Sequence, residues 1–132
     1  MGIAVYINGE PPDIEHTQVE RTYDGQTVEI DTGIVDVIDW LNRNRKPTTS
    51  CCQGDFENFL DASVGFWYEL DAMQFFEWVA HVWRDSEFKK DELSSIEFGI
   101  GYNHERCLYG YGVNFDCRIL PDLMALLKTI AS

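Results

Sequence analysis

The sequence predicts an α+β protein with one antiparallel or mixed sheet of about six or seven strands and three helices mainly on one face. Alternating apolar residues surround short turn sequences, which is typical of β-hairpins. Three other segments place apolar residues at helical spacing. Because hairpins join neighbouring strands directly, a parallel sheet with a crossover between most strands is excluded. The length of 132 residues is usual for one domain, so we expect a single domain over residues 1–132.

The first strands are predicted from residues at the beginning of the chain. Apolar residues that alternate over residues 3–7 indicate one strand. A hairpin follows, because Asp24 and Gly25 separate the strand-like residues 18–23 and 26–30. These two residue types accept the positive φ angles of a two-residue turn.

Two helices and a strand are predicted for the middle of the chain. Thr32 is placed to cap a first helix, which Pro47 ends. Alternation over residues 62–70 predicts a strand with one buried face. A second helix follows, with Asp71 and Gln74 as its capping box. The apolar residues that we expect these helices to bury are Ile34, Val37, Ile38, Leu41, Ala72, Phe75, Phe76, Val79, Val82 and Trp83.

A hairpin and a final helix are predicted for the last third. Residues 96–103 and 108–115 alternate on either side of a four-residue loop. Pro121 suits the first turn of a helix. That helix is expected to bury Leu123, Leu126, Leu127 and Ile130.

The last hairpin carries glycines in a regular pattern. With the loop at residues 104–107, Gly101 lies opposite Gly110 and Gly99 lies opposite Gly112. Glycine weakens a strand, so paired glycines indicate that something approaches this face closely. The interpretation that we favour is a closely packed helix or a strongly twisted sheet. The alternative is a platform for a ligand or a partner.

Composition and charge exclude several classes of function. The formal net charge is −13, from 23 acidic and 10 basic residues. Direct binding to nucleic acid or to an anionic membrane depends on Lys and Arg, so we expect neither. The apolar fraction of 45% argues against general disorder. The chain contains no apolar run of about 20 residues and no basic leader at its beginning, and we expect a cytoplasmic protein.

Four cysteines are too few for a disulfide scaffold, and we expect reduced thiols. His104 and Cys107 are weak candidates for a zinc site completed by Cys51, Cys52 or Cys117. The interpretation that we favour is a turn histidine beside a semi-buried thiol. We therefore expect no metal and no resident cofactor.

One segment resembles a known signature. A helix followed by residues 48–54 resembles the Thr-Thr-Ser-Ser-Cys-Ser-Gly-Arg motif of the methyltransferase family of tRNA wybutosine synthesis. It is also similar to segments of small uncharacterised bacterial and phage α+β proteins. The matching residues are Thr48, Thr49, Ser50, Cys52 and Gly54, and the departing residues are Cys51, Gln53 and Asp55.

The resemblance implies S-adenosylmethionine, a tRNA substrate, and an active pocket lined by Ser50 and Cys52. Residues 47–83 contain six acids and no Lys or Arg, a composition that repels tRNA. We therefore favour a structural role for the motif. The alternative is an enzyme-like domain that binds S-adenosylmethionine or another small ligand through Thr49, Ser50, Cys52 and Gly54.

Acidic residues point to a partner. Residues 1–42 carry nine acids and a single base, Arg21. Acids on rigid elements attract a basic partner protein, although solubility alone also explains them. The predicted partner-binding residues are Glu20, Glu29, Asp31, Asp36 and Asp39.

We therefore expect a small non-enzymatic binding protein, of the type carried by phages or mobile elements, that docks onto a basic protein. Three tryptophans lie on the less apolar sides of their predicted elements and are typical of interfaces. These residues, which also allow a homodimer, are Trp40, Trp67 and Trp78.

Overall fold

The structure, a computed structural model, describes residues 16–103 and 108–130. The predicted strand over residues 3–7 lies outside the described residues. The order of the main elements in the described part is β1 (Gln18–Tyr23), β2 (Gln26–Asp31), α1 (Val35–Arg43), β3 (Thr48–Cys52), β4 (Ala62–Phe66), α2 (Glu69–Asp85), β5 (Ile96–Asn103), β6 (Leu108–Phe115) and α3 (Leu120–Thr129).

The described strands form two antiparallel sheets. One contains β1 and β2, and the other has the strand order β3-β4-β6-β5. The α+β prediction is confirmed, but the prediction of one continuous sheet was wrong. The neighbouring ends of β2 and β3 are joined through a side chain and not through paired backbones. The backbone N–H of Gln53 donates to the side chain of Asp31 at 3.0 Å. The small sheet is joined to the larger one through such side-chain contacts and through Ile30, which is buried in the common core.

Both predicted hairpins are confirmed, since β1 pairs with β2 and β5 pairs with β6. Asp24 and Gly25 have φ angles of 49° and 81°, as the turn between β1 and β2 requires. In the last hairpin Gly101 pairs with Gly110, in the predicted register. The loop over residues 104–107 lies outside the described residues.

The first helix begins later than predicted. α1 starts at Val35 without a side-chain cap, so the prediction that Thr32 caps it was wrong. The Thr32 hydroxyl instead donates to the backbone oxygen of Thr17 at 2.8 Å, which ties the entry of β1 to the end of β2. The helix ends at Arg43, and Arg45, with a φ of 63°, turns the chain before Pro47.

The predicted strand over residues 62–70 is too long. β4 ends at Phe66, and α2 begins at Glu69, so Asp71 lies inside the first turn and caps nothing. The side chain of Leu70 is 78% exposed, although it continues the apolar alternation of the strand. The alternation of apolar residues therefore continues past the end of β4, into residues that are exposed.

The helices cover one face of the four-stranded sheet. Phe75 of α2 packs against Phe66 and Phe115, with ring centroids 5.3 and 6.0 Å apart. Leu41 of α1 and Leu123 of α3 are fully buried in the same core. This is the one-sided arrangement of helices that the sequence predicts.

The tryptophans do not share one exposed surface. Trp40 is buried, contrary to its predicted position, because it packs edge-on against Trp78 with ring centroids 5.4 Å apart. Trp67 is the exposed one of the three, at 38%.

Candidate binding site on the open sheet face

The face of the four-stranded sheet opposite the helices is open. A side chain added at Gly99, Gly101 or Gly112 meets no described atom within 4 Å. The closely packed helix that we expected from the sequence is therefore not found on this face within the described residues. We call this surface the glycine face; it comprises Thr49, Ser50, Ser63, Gly65, Glu97, Gly99, Gly101, Gly110, Gly112 and Asn114.

Three of its glycines form a row across the sheet. Gly65 lies opposite Gly112, which on its other side lies opposite Gly99. Because neighbouring strands are about 4.8 Å apart, the row spans roughly 10 Å, and its backbone is bare at Gly99 and Gly112. The row forms the floor of a shallow trough of about 510 Å³. Gly65 was not predicted, because only the register between β4 and β6 brings it beside the hairpin glycines.

Two predicted ligand residues border this trough. The register between β3 and β4 shifts between Thr48 and Ser50. As a result, Thr49 Oγ1 and Ser50 Oγ lie 2.5 and 2.6 Å from the point that a Cβ of Gly65 would occupy. The bulge therefore turns consecutive hydroxyls toward one surface, whereas a regular strand would place them on opposite faces.

The other two predicted ligand residues, Gly54 and Cys52, do not border the trough. Gly54 is buried with a φ of 76°, and an added Cβ would lie 2.7 Å from the backbone of Asp61 and Ala62. Its role is therefore to allow the chain to turn. Cys52 lies opposite Ser63 at the edge of the glycine face, but its sulfur lies close to His16 and Asp31.

The described thiols are poor nucleophiles. Burial, followed by the charge of Asp31, raises the pKa of Cys51 to about 11. Burial also raises the pKa values of Cys52 and Cys117. None of the three forms a disulfide within the described residues, and at neutral pH they are mainly protonated, whereas a nucleophilic cysteine needs its thiolate. The zinc candidates His104 and Cys107 lie outside the described residues.

Asp31, a predicted partner-binding residue, is buried, and its carboxylate is engaged by neighbouring groups. Gln18 Nε2 and the Gln53 N–H each donate to it at 3.0 Å, and His16 Nδ1 lies at the same distance. Burial acts to raise its pKa, but these hydrogen bonds outweigh burial and hold the pKa below its ordinary value. Asp31 thus connects the hairpin to the end of β3.

The other predicted partner-binding acids differ in exposure. Asp39 accepts hydrogen bonds from Arg21 Nε at 3.1 Å and from the Tyr23 hydroxyl at 2.5 Å, so its carboxylate is engaged internally. Glu20 and Glu29 lie opposite each other on the exposed face of the first hairpin. The third exposed acid of the predicted set is Asp36, on α1.

The comparisons add no relative to this description. No protein-family model matches the chain, and no curated protein or solved structure does so either. Within residues 16–103 and 108–130, none of the helices combines the length and apolar character needed to cross a membrane. The fold and site therefore define an α+β domain with an open, glycine-lined sheet face.

Proposed function

We propose that this chain is a small, acidic, non-enzymatic binding protein whose glycine face receives a partner protein with a basic surface. The observation that carries the proposal is the open floor of the trough. Described atoms leave Gly99 and Gly112 free of neighbours, so a partner can approach the backbone directly.

The cost of the glycines supports this function. Each glycine in a strand costs about 0.5–1 kcal/mol relative to alanine, so the four uncrowded ones on this face cost roughly 2–4 kcal/mol together. A domain has a net stability of only about 5–15 kcal/mol. Internal packing within the described residues does not explain the cost, and close contact with another molecule does. The four are Gly99, Gly101, Gly110 and Gly112; Gly65 is not counted, because the Thr49 and Ser50 hydroxyls occupy the space beside it.

Charge supports a basic partner. The net charge of −13 attracts a cationic surface over a distance set by the ionic strength. Among the described residues that line the trough, Glu97 is the charged one. It lies in the row of Asn114 and Ser63, beside the glycine row, where it can pair with a Lys or Arg of the partner.

The chemistry of the site supports binding without catalysis. The trough is shallow and open, whereas enzyme pockets bury most of a small ligand. Burial keeps the Cys52 thiol at the edge of the glycine face mainly protonated at neutral pH.

The test uses extended peptides rich in Lys and Arg as probes, with fluorescence anisotropy at low and raised salt. We expect binding that weakens as salt rises, and Gly112→Val to weaken it at least tenfold by filling the floor of the trough. Thr27→Val is the matched control, because it changes an exposed strand residue of the other sheet. Affinity that is independent of salt, or Gly112→Val binding like the wild type, would contradict the proposal.

A second candidate function is binding of a small ligand, S-adenosylmethionine included, at one end of the same trough. The observation that favours it is the convergence of the Thr49 and Ser50 hydroxyls above Gly65. Calorimetric titration with S-adenosylmethionine tests it. We expect heat that Ser50→Ala diminishes, and the absence of heat from the wild type excludes this cofactor.

A further inference from the structure

Three side chains with different metal-binding atoms meet where the first hairpin reaches the end of β3. His16, Asp31 and Cys52 each offer one such atom, and the three atoms lie within 4.8 Å of one another. Zinc bonds of about 2.0–2.3 Å place tetrahedral ligand atoms roughly 3.5 Å apart. Small side-chain movements therefore suffice to bring the three atoms to a common ion.

The cluster is largely shielded from solvent, since Asp31 is buried and His16 and Cys52 are partly buried. The side chains of His16 and Asp31 are only 12% and 8% exposed. His16 Nε2 is buried and has no hydrogen-bond partner among the described residues. The ring nitrogen that faces Asp31 is the other one, Nδ1, at 3.0 Å from Oδ2, so Nδ1 is the atom of this ring that is placed to bind an ion shared with Asp31.

Neighbouring groups are arranged to support a metal ligand set. Gln18 Nε2 donates to Asp31 Oδ1, and the Gln53 N–H donates to Oδ2, so the carboxylate is oriented from two sides. The Gly54 N–H lies 3.4 Å from Cys52 Sγ, where it stabilises a thiolate. Hydrogen bonds of this kind orient the ligands of protein metal sites and tune their affinity.

We propose that His16, Asp31 and Cys52 bind a zinc ion. One nitrogen, one oxygen and one sulfur ligand suit Zn²⁺, and three protein ligands leave a position for water or another group. On binding, Cys52 releases its proton to solvent, and the metal bond replaces the hydrogen bond between His16 and Asp31. The ion links the entry of β1, the end of β2 and the end of β3, independently of any partner on the glycine face.

The test is titration of the chelator-treated, full-length protein with Co²⁺ and Zn²⁺. We expect one equivalent of Co²⁺ to give thiolate-to-cobalt charge-transfer absorption, which Zn²⁺ then abolishes. Cys52→Ser should remove that absorption, and His16→Ala should weaken binding at least tenfold. The neighbouring Cys51→Ser is the matched control and should titrate like the wild type.

Circular dichroism of each variant shows whether a lost titration reflects loss of the site or loss of the fold. Cys52→Ser is the smallest change that removes a ligand, so it is the variant least disruptive to folding. The proposal is wrong if folded Cys52→Ser or His16→Ala keeps the wild-type titration. It is also wrong if the wild type gives no charge-transfer absorption, or if only the double variant His104→Ala, Cys107→Ala loses it.

Discussion

Gly65 and Gly112 lie directly opposite each other on β4 and β6, yet their surroundings differ. The Thr49 and Ser50 hydroxyls crowd Gly65, whereas Gly112 has no described neighbour within 4 Å. Gly112 is therefore open to an outside molecule, and a larger residue fits there without displacing the core.

Gly112→Val should stabilise the protein. Its position is open and its φ angle is ordinary, so a β-branched side chain gains strand preference, worth about 1 kcal/mol. Urea unfolding measures the change. If the glycine face is a binding surface, this gain accompanies loss of peptide binding, and a variant that is destabilised would show that the face is more crowded than the structure indicates.

Gly54→Ala should destabilise the protein by about 2 kcal/mol or more, because a positive φ is strained for alanine and the added methyl group meets backbone. Gly25→Ala is the control, since Gly25 has a similar φ of 81° but open space around it. Thermal unfolding of both variants separates the cost of the φ angle from the cost of the contact. Equal losses would contradict the assignment of a tight turn at Gly54.

Asp116 should make stability depend on acid pH. Burial acts to raise its pKa, but hydrogen bonds from Arg118 and Ser94 outweigh burial and hold the pKa below about 3.9, the ordinary value. The stabilisation is therefore complete above about pH 3.9 and is lost as pH falls through the folded-state pKa. Asp116→Asn should be less stable than wild type at pH 7.

The difference between Asp116→Asn and wild type should diminish as the pH is lowered toward 3 in urea titrations. Glu77→Gln, at an exposed position of α2, is the control and should follow the wild type. A stability difference that stays constant across this range would show that Asp116 acts through shape alone.

Arg118→Lys should cost about 2 kcal/mol. The guanidinium lies 4.0 and 4.4 Å from the ring centroids of Phe56 and Phe88, and its Nε and one amino group bind Asp116. Lysine reproduces the charge but neither the paired hydrogen bonds nor the flat stacking surface. Arg84→Lys, which is exposed on α2, should change the free energy of unfolding by less than about 0.5 kcal/mol.

Glu20→Lys should stabilise the first hairpin by about 0.5 kcal/mol, because Glu20 and Glu29 are like charges directly opposite each other. The gain should fall as salt is added, which urea unfolding at two salt concentrations measures. Gln26→Lys, at an exposed position of the same hairpin, controls for the added lysine. An equal gain in both variants would indicate that net charge, and not the pair, is responsible.

Local signals were sufficient for much of the fold. Asp24 and Gly25 specified a turn because their backbone preferences are intrinsic, and the alternation around residues 104–107 fixed the pairing of Gly101 with Gly110. Helix ends were less predictable. Thr32 and Asp71 have capping side chains, but α1 begins after Ile34 and α2 begins after Tyr68, neither of them with a side-chain cap.

The candidate sites depended on distant parts of the chain. The family resemblance led to the prediction of Thr49 and Ser50, and the strand pattern drew attention to the hairpin glycines, but these residues lie in two unrelated segments. Packing of β4 between β3 and β6 brought them onto one surface and added Gly65. His16, Asp31 and Cys52 are separated by 15 and 21 positions and carry no local spacing pattern, so only the approach of β2 to β3 could bring their side chains together.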